Sequence, residues 1–318
     1  MTHDIDHLHH VGLVVHDMEE ALAVYRRLGF EMEPPAYPML AKEGADPVPF
    51  GAANTHAYFT RSFVELVTII SEGSKIPADA NLVPLQIPPE HLAQVTESIT
   101  HTVDRFAARL ERFQGLHRLV FHSSDADAVA RRLTATGIVN SGVNTIQRPV
   151  DTAEGPKVET IRHIEIGGGD RSQAESPEGI LAIAESLQAH RRTEHPNGAV
   201  DLVEVVLAVA SGEVGATSRR YASYLDRAAE GTGTTSVFRL EGARVTIVTN
   251  TDLDALLPGE QAPTLPALVA YAVAVRDIAE AERLLHANGF STAESVAGDL
   301  FVPAQAALGT AVIFREVS

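Results

Sequence analysis

Two histidines and two glutamates recur at similar places in two neighbouring stretches of the sequence. His10 lies seven residues before Asp17, at the start of an apolar run, and we assign His117 to the corresponding place in the second stretch. Glu65 lies in the last apolar run of the first stretch, and Glu185 lies at the end of the last apolar run of the second. Imidazole and carboxylate groups are ligands for Fe, Ni, Co, Mn and Zn. These residue types therefore suggest one divalent metal ion (Fe, Ni, Co, Mn or Zn) with coordination positions left open for a substrate.

The two glutamates stand in apolar surroundings. Glu65 lies within FVELVTII, and Glu185 follows ILAIA. Burying a carboxylate among apolar side chains costs free energy unless the charge is paired or bound to a metal. A carboxylate ligand can also leave the metal and take a proton, so Glu65 and Glu185 are the candidate catalytic bases. Asn54 and His56, in the strand before Glu65, and His163, in a later strand, are the candidate substrate-binding residues.

Four segments that must position these residues share one pattern, at 9–30, 115–138, 200–225 and 268–290. In each, a short apolar run predicts a buried strand, and amphipathic spacing after a polar turn predicts a helix. In the first segment Asp17 can cap the helix and Gly29 can end it. Further strand-like runs follow each helix. The sequence therefore predicts an α+β fold of four βαβββ modules. Because one half-open sheet cannot bury its own concave face, the modules should pair.

The spacing of the four segments divides the chain into two halves. We predict a metal-binding domain at 1–195, made of the first two modules with a helical insertion at 73–114, and a second domain at 196–318. Apolar residues at helical spacing predict a long amphipathic helix at 91–114 within the insertion. Glu204 and Ala270 take the place of His10 in the third and fourth modules. We therefore expect the second domain to be a degenerate, metal-free copy that supports the first or forms a homodimer.

Composition limits the classes of function. The 318 residues carry a net charge of -17 and include no cysteine and no tryptophan. The deficit of Lys and Arg argues against nucleic-acid binding, which depends on neutralising phosphates. Disulfides, thiolate metal sites and cysteine nucleophiles are excluded, and no run of about 18 apolar residues predicts a membrane span. We expect a cytoplasmic protein whose partner is a small-molecule substrate, with no nucleic acid and no membrane.

These modules resemble the vicinal oxygen chelate superfamily, which includes glyoxalases, bleomycin resistance proteins and extradiol dioxygenases, and in particular its glyoxalase-like domains. The likeness is carried by the four repeated segments and by GAANTHAYFTRSFVELV at 51–67, which is similar to the Gly–Thr–Ala–Asn and strand–Glu pattern of those domains. That family pairs βαβββ modules around a metal held by residues of their first and last strands. The resemblance implies two paired-module glyoxalase-like domains, and it assigns His10, Glu65, His117 and Glu185 as metal ligands.

Three functions are compatible with this pattern. The first is a metal-dependent lyase or isomerase, in which vicinal oxygens of a small substrate chelate the metal and an enolate or enediolate is stabilised. The second is an Fe(II) extradiol-type dioxygenase whose iron is bound by His10, His117 and Glu185. The third is a non-catalytic protein that binds a small molecule such as an antibiotic. The four candidate ligands favour the first, because the second leaves Glu65 without a role and binding proteins of this superfamily usually lose the ligands.

Overall fold

The structure is a computed structural model that describes residues 3–41, 46–85, 87–152, 155–167, 176, 178–185, 191–231 and 233–317. Over these ranges the chain forms two mixed β-sheets and six α-helices. The sheets follow one another along the chain, and the change from one to the other lies between Ala184 and Ala199. The predicted α+β fold of glyoxalase-like modules is confirmed.

The first sheet places the first strands of two modules side by side at its centre. Its described strands are β1 (Leu8–Val15), β2 (Ala36–Leu40), β3 (Val48–Pro49), β4 (Ala52–Tyr58), β5 (Phe63–Ile69), β6 (Asn81–Pro84), β7 (Gly115–His122), β8 (Asn144–Thr152), β9 (Gly155–Ile166) and β10 (Ile180–Ala184). Their order across the sheet is β3, β2, β4, β5, β1, β7, β10, β9 and β8, with β6 paired to β2. The helices of this half are α1 (Met18–Arg27), α2 (Leu92–Arg112) and α3 (Ala126–Ala135), of which α2 is the helix expected in the insertion.

The second sheet repeats this arrangement with shorter connections. Its described strands are β11 (Ala199–Val209), β12 (Thr235–Leu240), β13 (Ala243–Thr249), β14 (Ala267–Val275), β15 (Ala293–Glu294), β16 (Leu300–Val302) and β17 (Ala311–Glu316). They lie in the order β12, β13, β11, β14, β17, β16 and β15. Helices α4 (Val214–Leu225), α5 (Asn250–Leu256) and α6 (Ile278–Ala287) accompany them. In both sheets the first strands of two modules therefore meet at the centre.

Three helices begin at aspartates that follow the first strand of a module. The side chains of Asp17, Asp125 and Asp277 each accept a hydrogen bond of 2.9 Å from the backbone N–H three residues later. Such a cap satisfies one of the N–H groups that the first turn of a helix leaves without a partner. The three aspartates therefore mark equivalent positions in the first, second and fourth modules.

The pairing of β1 with β7 relates the first two modules by an approximate twofold axis. The strands are antiparallel, with His10 opposite Val120 and Gly12 opposite Arg118. A twofold axis between the strands exchanges these two pairs, so His10 and Arg118 occupy equivalent positions. In the same register, β5 pairs with β1 and β10 pairs with β7, both in parallel.

One apolar core packs against both sheets and joins the two halves of the chain. Tyr25 of α1 and Tyr271 of β14 are fully buried, and the Tyr271 hydroxyl donates to the Tyr25 hydroxyl at 3.1 Å. The backbone N–H of Leu116 also donates to Thr310 Oγ1 at 2.9 Å, which connects β7 to the second sheet. Buried aromatic rings contribute most when their polar ends find partners, as these do. Within the described ranges, no helix is long and apolar enough to span a membrane.

Candidate active site

A cleft of about 1020 Å³ lies over the centre of the first sheet. Its lining is rich in histidine, and the histidines are His7, His9, His10, His56, His122 and His163. Neutral imidazole both donates and accepts hydrogen bonds, so this wall suits a ligand with several oxygen atoms. Tyr58 and Phe63 add an aromatic portion to the same cleft.

Glu65 lies at the floor of the cleft, and polar groups surround both of its carboxylate oxygens. Oε1 accepts a hydrogen bond from Asn54 Nδ2 at 3.0 Å and lies 3.6 Å from His56 Nε2. Oε2 accepts from Arg118 Nη1 at 2.5 Å and lies 4.0 Å from His10 Nε2. Burial alone would raise the pKa of Glu65, but Arg118, His56 and His10 together hold that pKa well below its ordinary value. The structure therefore brings Asn54, His56, His10 and Glu65 together.

Gly12 makes the contact between Glu65 and Arg118 possible. A side-chain carbon at Gly12 would lie 3.0 Å from Arg118 Cβ and 3.1 Å from Glu65 Oε2. Both distances are shorter than ordinary van der Waals contacts, so any larger residue would push the two charged side chains apart.

His9 and His10 form a buried pair beside this carboxylate. Their Nδ1 atoms lie 2.7 Å apart, so one ring donates a hydrogen bond to the other. Burial lowers the pKa of His9 to about 3, and it holds the pKa of His10 well below its ordinary value, with the neighbouring His9 and Arg118 acting in the same direction. Both rings are therefore neutral at physiological pH, and His10 presents Nε2 towards Glu65.

His117 does not reach the cleft, and its assignment as a ligand is corrected by the register of β7. Gly12 pairs with Arg118 and the next residue, Leu13, pairs with Leu116, so His117 is the extra residue of a β-bulge. Its Nε2 donates to Phe113 O at 2.8 Å, and its ring packs on the Phe113 ring at 4.1 Å between centroids. Burial lowers the pKa of His117 to about 4. This residue is part of the core.

Arg118 takes the position that we assigned to His117. It lies seven residues before the capping Asp125, as His10 lies seven before Asp17, and its side chain lines the cleft. Counting from the aspartate would have found it. Arg118 Nε is buried and has no hydrogen-bond partner in the part of the chain that the structure describes. The side chain as a whole is a quarter exposed, so the guanidinium can contact a ligand in the cleft while it binds Glu65.

Glu185 is also displaced from the position predicted for it. Gly12 pairs with Glu65, whereas the equivalent Val120 pairs with Ala182, so Ala182 is the counterpart of Glu65. Glu185 follows the end of β10 at the edge of the cleft, a quarter exposed. Its Oε1 accepts from Arg162 Nη1 at 2.9 Å and from the backbone N–H of Ala126 at 3.2 Å.

His163, a candidate substrate-binding residue, also lines the cleft. Burial is the main cause that lowers its pKa, and Arg118 acts in the same direction against the opposing effect of Glu165. The carboxylate of Glu165 is bound by Arg105 at 3.0 Å, which separates it from the centre of the site.

The donor set at the predicted metal position does not fit a divalent ion. Of the four equivalent positions, His10 and Glu65 offer ligands, whereas the other two hold Arg118 and Ala182. The guanidinium cannot ligate a metal, and its positive charge stands 2.5 Å from the one carboxylate that could. Among the described residues, neither His10 nor Glu65 belongs to a group of three or more candidate ligands whose atoms lie within 4.8 Å of one another. At this position Arg118 supplies the cationic charge instead.

Comparisons with known proteins agree with this fold. The sequence model of a glyoxalase-like domain family matches residues 8–225. A search of curated proteins gave no sequence match.

Solved structures of low sequence identity share the fold over nearly the whole chain. A triple mutant of 4-hydroxymandelate synthase from Streptomyces coelicolor is 14% identical with a TM-score of 0.57, covering 98% of this chain and 93% of that one. A hypothetical protein from Staphylococcus aureus is 11% identical with a TM-score of 0.55, covering 98% of both chains. An extradiol ring-cleaving dioxygenase from B. fuscum is 10% identical with a TM-score of 0.54, covering 98% of this chain and 72% of that one. The chain therefore belongs to the glyoxalase-like domain family of the vicinal oxygen chelate superfamily.

Proposed function

We propose that the cleft is the active site of a metal-independent lyase or isomerase, in which Arg118 takes the electrostatic role of a metal. Members of this superfamily typically use a divalent metal. The observation that carries the proposal is the ion pair between Arg118 and the buried Glu65, which stands at two of the four ligand positions. This revises the metal-dependent reaction predicted from the sequence, while it keeps the class of reaction.

The charges of the cleft favour an acidic, oxygenated substrate. Each of its four glutamates is already paired with an arginine, in the pairs Glu33–Arg192, Glu65–Arg118, Glu165–Arg105 and Glu185–Arg162. An anionic ligand therefore meets no unpaired carboxylate among these residues. The part of the Arg118 guanidinium that is exposed in the cleft would bind a carboxylate or carbonyl oxygen, because guanidinium groups match such oxygens in geometry and charge.

The aromatic portion of the cleft narrows the substrate class further. Tyr58 and Phe63 line the cleft with ring centroids 5.3 Å apart, and the Arg191 guanidinium lies 4.4 Å over the Tyr58 ring. Such a wall suits an aromatic ring. One protein of similar fold is named a 4-hydroxymandelate synthase, and another is a fusion protein that includes a 4-hydroxyphenylpyruvate dioxygenase. We propose aromatic 2-oxo or 2-hydroxy acids as the substrate class.

The chemistry available to these side chains is proton transfer beside a polarised carbonyl. Arg118 would bind the oxygen on which negative charge develops, and a fixed cation at that place lowers the barrier to enolate formation. Glu65 would take the proton from carbon and return it at a neighbouring atom. The neutral His10, 4.0 Å from Glu65, would position that carboxylate and donate or accept a hydrogen bond.

A binding protein without turnover is the second candidate, and one observation favours it. Arg118, His56 and His10 hold the pKa of Glu65 low, which makes this carboxylate a weak base. The dioxygenase has less support, because His117 lies away from the cleft and Glu185 is bound by Arg162. Two of the three iron ligands of that hypothesis are thus engaged elsewhere.

The test uses 4-hydroxyphenylpyruvate and 4-hydroxymandelate as probes with protein dialysed against a chelator. Calorimetry should detect binding that falls at least about tenfold in Arg118→Met, the loss of roughly one charge-assisted hydrogen bond. Arg239→Met removes an equal charge whose partner, Glu230, also lies outside the cleft lining, and this variant should bind like the wild type. Binding that requires added metal and survives Arg118→Met would contradict the proposal.

Proton exchange separates the enzyme from the binding protein. In deuterated buffer, the wild type should accelerate exchange of the methylene protons of 4-hydroxyphenylpyruvate over the buffer rate, as followed by NMR. Glu65→Gln should abolish that acceleration, because the amide cannot accept the proton. Tight binding without accelerated exchange would instead establish the second candidate.

A further inference from the structure

A second group of ligand-type side chains lies on the wall of the same cleft, at the opposite end of the β1–β7 pair from His117. Asp6 Oδ1 lies 2.7 Å from His7 Nδ1 and 2.6 Å from His122 Nδ1. The two imidazole rings are stacked, with centroids 4.2 Å apart and planes 20° apart. Among the described residues, this is the one group of three or more His, Asp or Glu side chains whose ligand atoms all lie within 4.8 Å of one another.

Backbone hydrogen bonds hold the three residues in place. The N–H of Asp6 donates to His122 O at 3.2 Å, and the N–H of His122 donates to His7 O at 2.9 Å. The carbonyl of Asp6 accepts from the backbone N–H of Glu241 at 2.7 Å, which ties this segment to the second half of the chain. The side chains of His7 and His122 are 12% and 14% exposed. The group is therefore built by the fold and is not a loose terminal segment.

Three nitrogen atoms gather around one carboxylate oxygen of Asp6. The backbone N–H of His7 also donates to Asp6 Oδ1 at 2.7 Å, so three nitrogen atoms crowd a single oxygen. His7 Nε2 is buried and has no partner in the described chain. Metal–ligand bonds of about 2.0–2.2 Å need ligand atoms about 3 Å apart or slightly more. The distances from Asp6 Oδ1 to the two Nδ1 atoms therefore have to lengthen by less than about 1 Å. The Asp6 side chain, one third exposed, has room to move.

We propose that Asp6, His7 and His122 bind one divalent first-row transition ion, such as Zn, Co or Ni. Two imidazole nitrogens and one carboxylate oxygen make a set of three protein ligands, which leaves a coordination position open. Both histidines line the cleft, so the open position is accessible to a ligand bound there. The site shares no residue with the pair formed by Glu65 and Arg118, and it does not depend on the function proposed for that pair.

The test is a titration of untagged, metal-stripped protein with Co²⁺ alone. Visible d–d absorption should rise to a plateau at about one Co²⁺ per chain, with the intensity of a low-coordinate site. His122→Asn and Asp6→Asn should each weaken binding at least about 10–100-fold, the loss that even an outer partner of a ligand causes. Glu65→Gln and His56→Asn, which change the same cleft elsewhere, should titrate like the wild type.

The cobalt titration contains no organic ligand, so its result does not depend on whether the function proposed for Glu65 and Arg118 is right. Circular dichroism and unfolding midpoints show whether the two ligand variants fold, and Zn²⁺ competition gives a second measure of affinity. Absence of stoichiometric Co²⁺ binding by the wild type overturns the proposal. So does binding that both His122→Asn and Asp6→Asn retain, or binding that Glu65→Gln abolishes, since the ion would then sit at the other position.

Discussion

Replacing Arg118 by methionine removes the charge that neutralises a buried carboxylate while keeping a side chain of similar length. Glu65 is 6% exposed and Arg118 is 25% exposed. Removing one partner of a buried ion pair destabilises proteins by about 3–5 kcal/mol, because the remaining charge is left unpaired. Since Arg118 is partly hydrated, we expect the lower end, about 3 kcal/mol of unfolding free energy near neutral pH. Asn54 and His56 still contact Glu65 and keep the loss from being larger.

The pH dependence of this loss identifies its cause. In the wild type the pKa of Glu65 is held well below its ordinary value, so its contribution to stability is present above that ordinary value and is lost as pH falls through the folded pKa. In Arg118→Met, burial acts with less opposition and the pKa of Glu65 rises. One pKa unit corresponds to about 1.4 kcal/mol, so a 3 kcal/mol loss corresponds to a rise of about two units. The full loss should therefore be present from about pH 6 to 8, and it should shrink only as pH falls through the raised pKa of Glu65 in the variant towards the lower wild-type pKa.

Urea unfolding at several pH values measures both quantities. The double variant Glu65→Gln with Arg118→Met should recover part of the lost stability, since no charge remains buried. Arg26→Met is the matched control, because Arg26 pairs with Asp79 where both side chains are nearly half exposed, and it should cost at most about 1 kcal/mol. A loss from Arg118→Met that is equally large in the Glu65→Gln background would refute the coupling of Arg118 to an ionised Glu65.

Three further changes test the assignments of the remaining residues. His117→Phe should leave ligand binding unchanged. The pKa of His117 is lowered to about 4, so the wild type loses stability as pH falls from about 6.5 to 4, by up to about 1.4 kcal/mol per pH unit. In urea unfolding, His117→Phe should lack this pH-dependent loss of unfolding free energy. Glu204→Gln should lower the unfolding free energy by about 3 kcal/mol, because it leaves Arg244 unpaired. Calorimetry should show that this variant binds ligand in the cleft as the wild type does. Glu185→Gln should cost less than about 1 kcal/mol and change ligand affinity less than about twofold, since its bond to Arg162 is partly exposed.

The secondary structure and the repeat could be predicted because their causes are local. An aspartate after an apolar strand starts a helix in three modules, as the caps at Asp17, Asp125 and Asp277 show. The apolar face of α2 was also visible in the spacing of its residues. These features depend on neighbours within a few positions, which the sequence displays directly.

The second half of the candidate site could not be predicted, because its geometry depends on single-residue register. Successive side chains of a strand point to opposite faces, so a shift of one residue moves a side chain from the cleft to the core. The bulge at His117 is such a shift, and it results from pairing with β1, which lies about a hundred residues earlier. Glu185 was misplaced for a related reason, since β10 ends at Ala184 and the counterpart of Glu65 is Ala182.

The position of His10 in the first half is occupied by a different residue in the second half. The contrast between the two indicates which half carries function. In the second half Glu204 stands where His10 stands in the first, only 3% exposed, and it is bound by Arg244, Thr246 and Arg315. Burial would raise the pKa of Glu204, but these partners lower it, so both carboxylate oxygens are satisfied within the fold.

A fully paired buried charge adds little to stability but holds its neighbours in register, which fits a supporting role for the second half. The carboxylate of Glu65 has the same kind of partner, yet it lies at the floor of a cleft of about 1020 Å³, and Arg118, which binds it, lines that cleft and is a quarter exposed. Neither Glu204 nor Arg244 lines that cleft. The charged pair that opens onto the cleft, more than the histidines around it, therefore supports the proposal that the first half binds and acts on a small molecule.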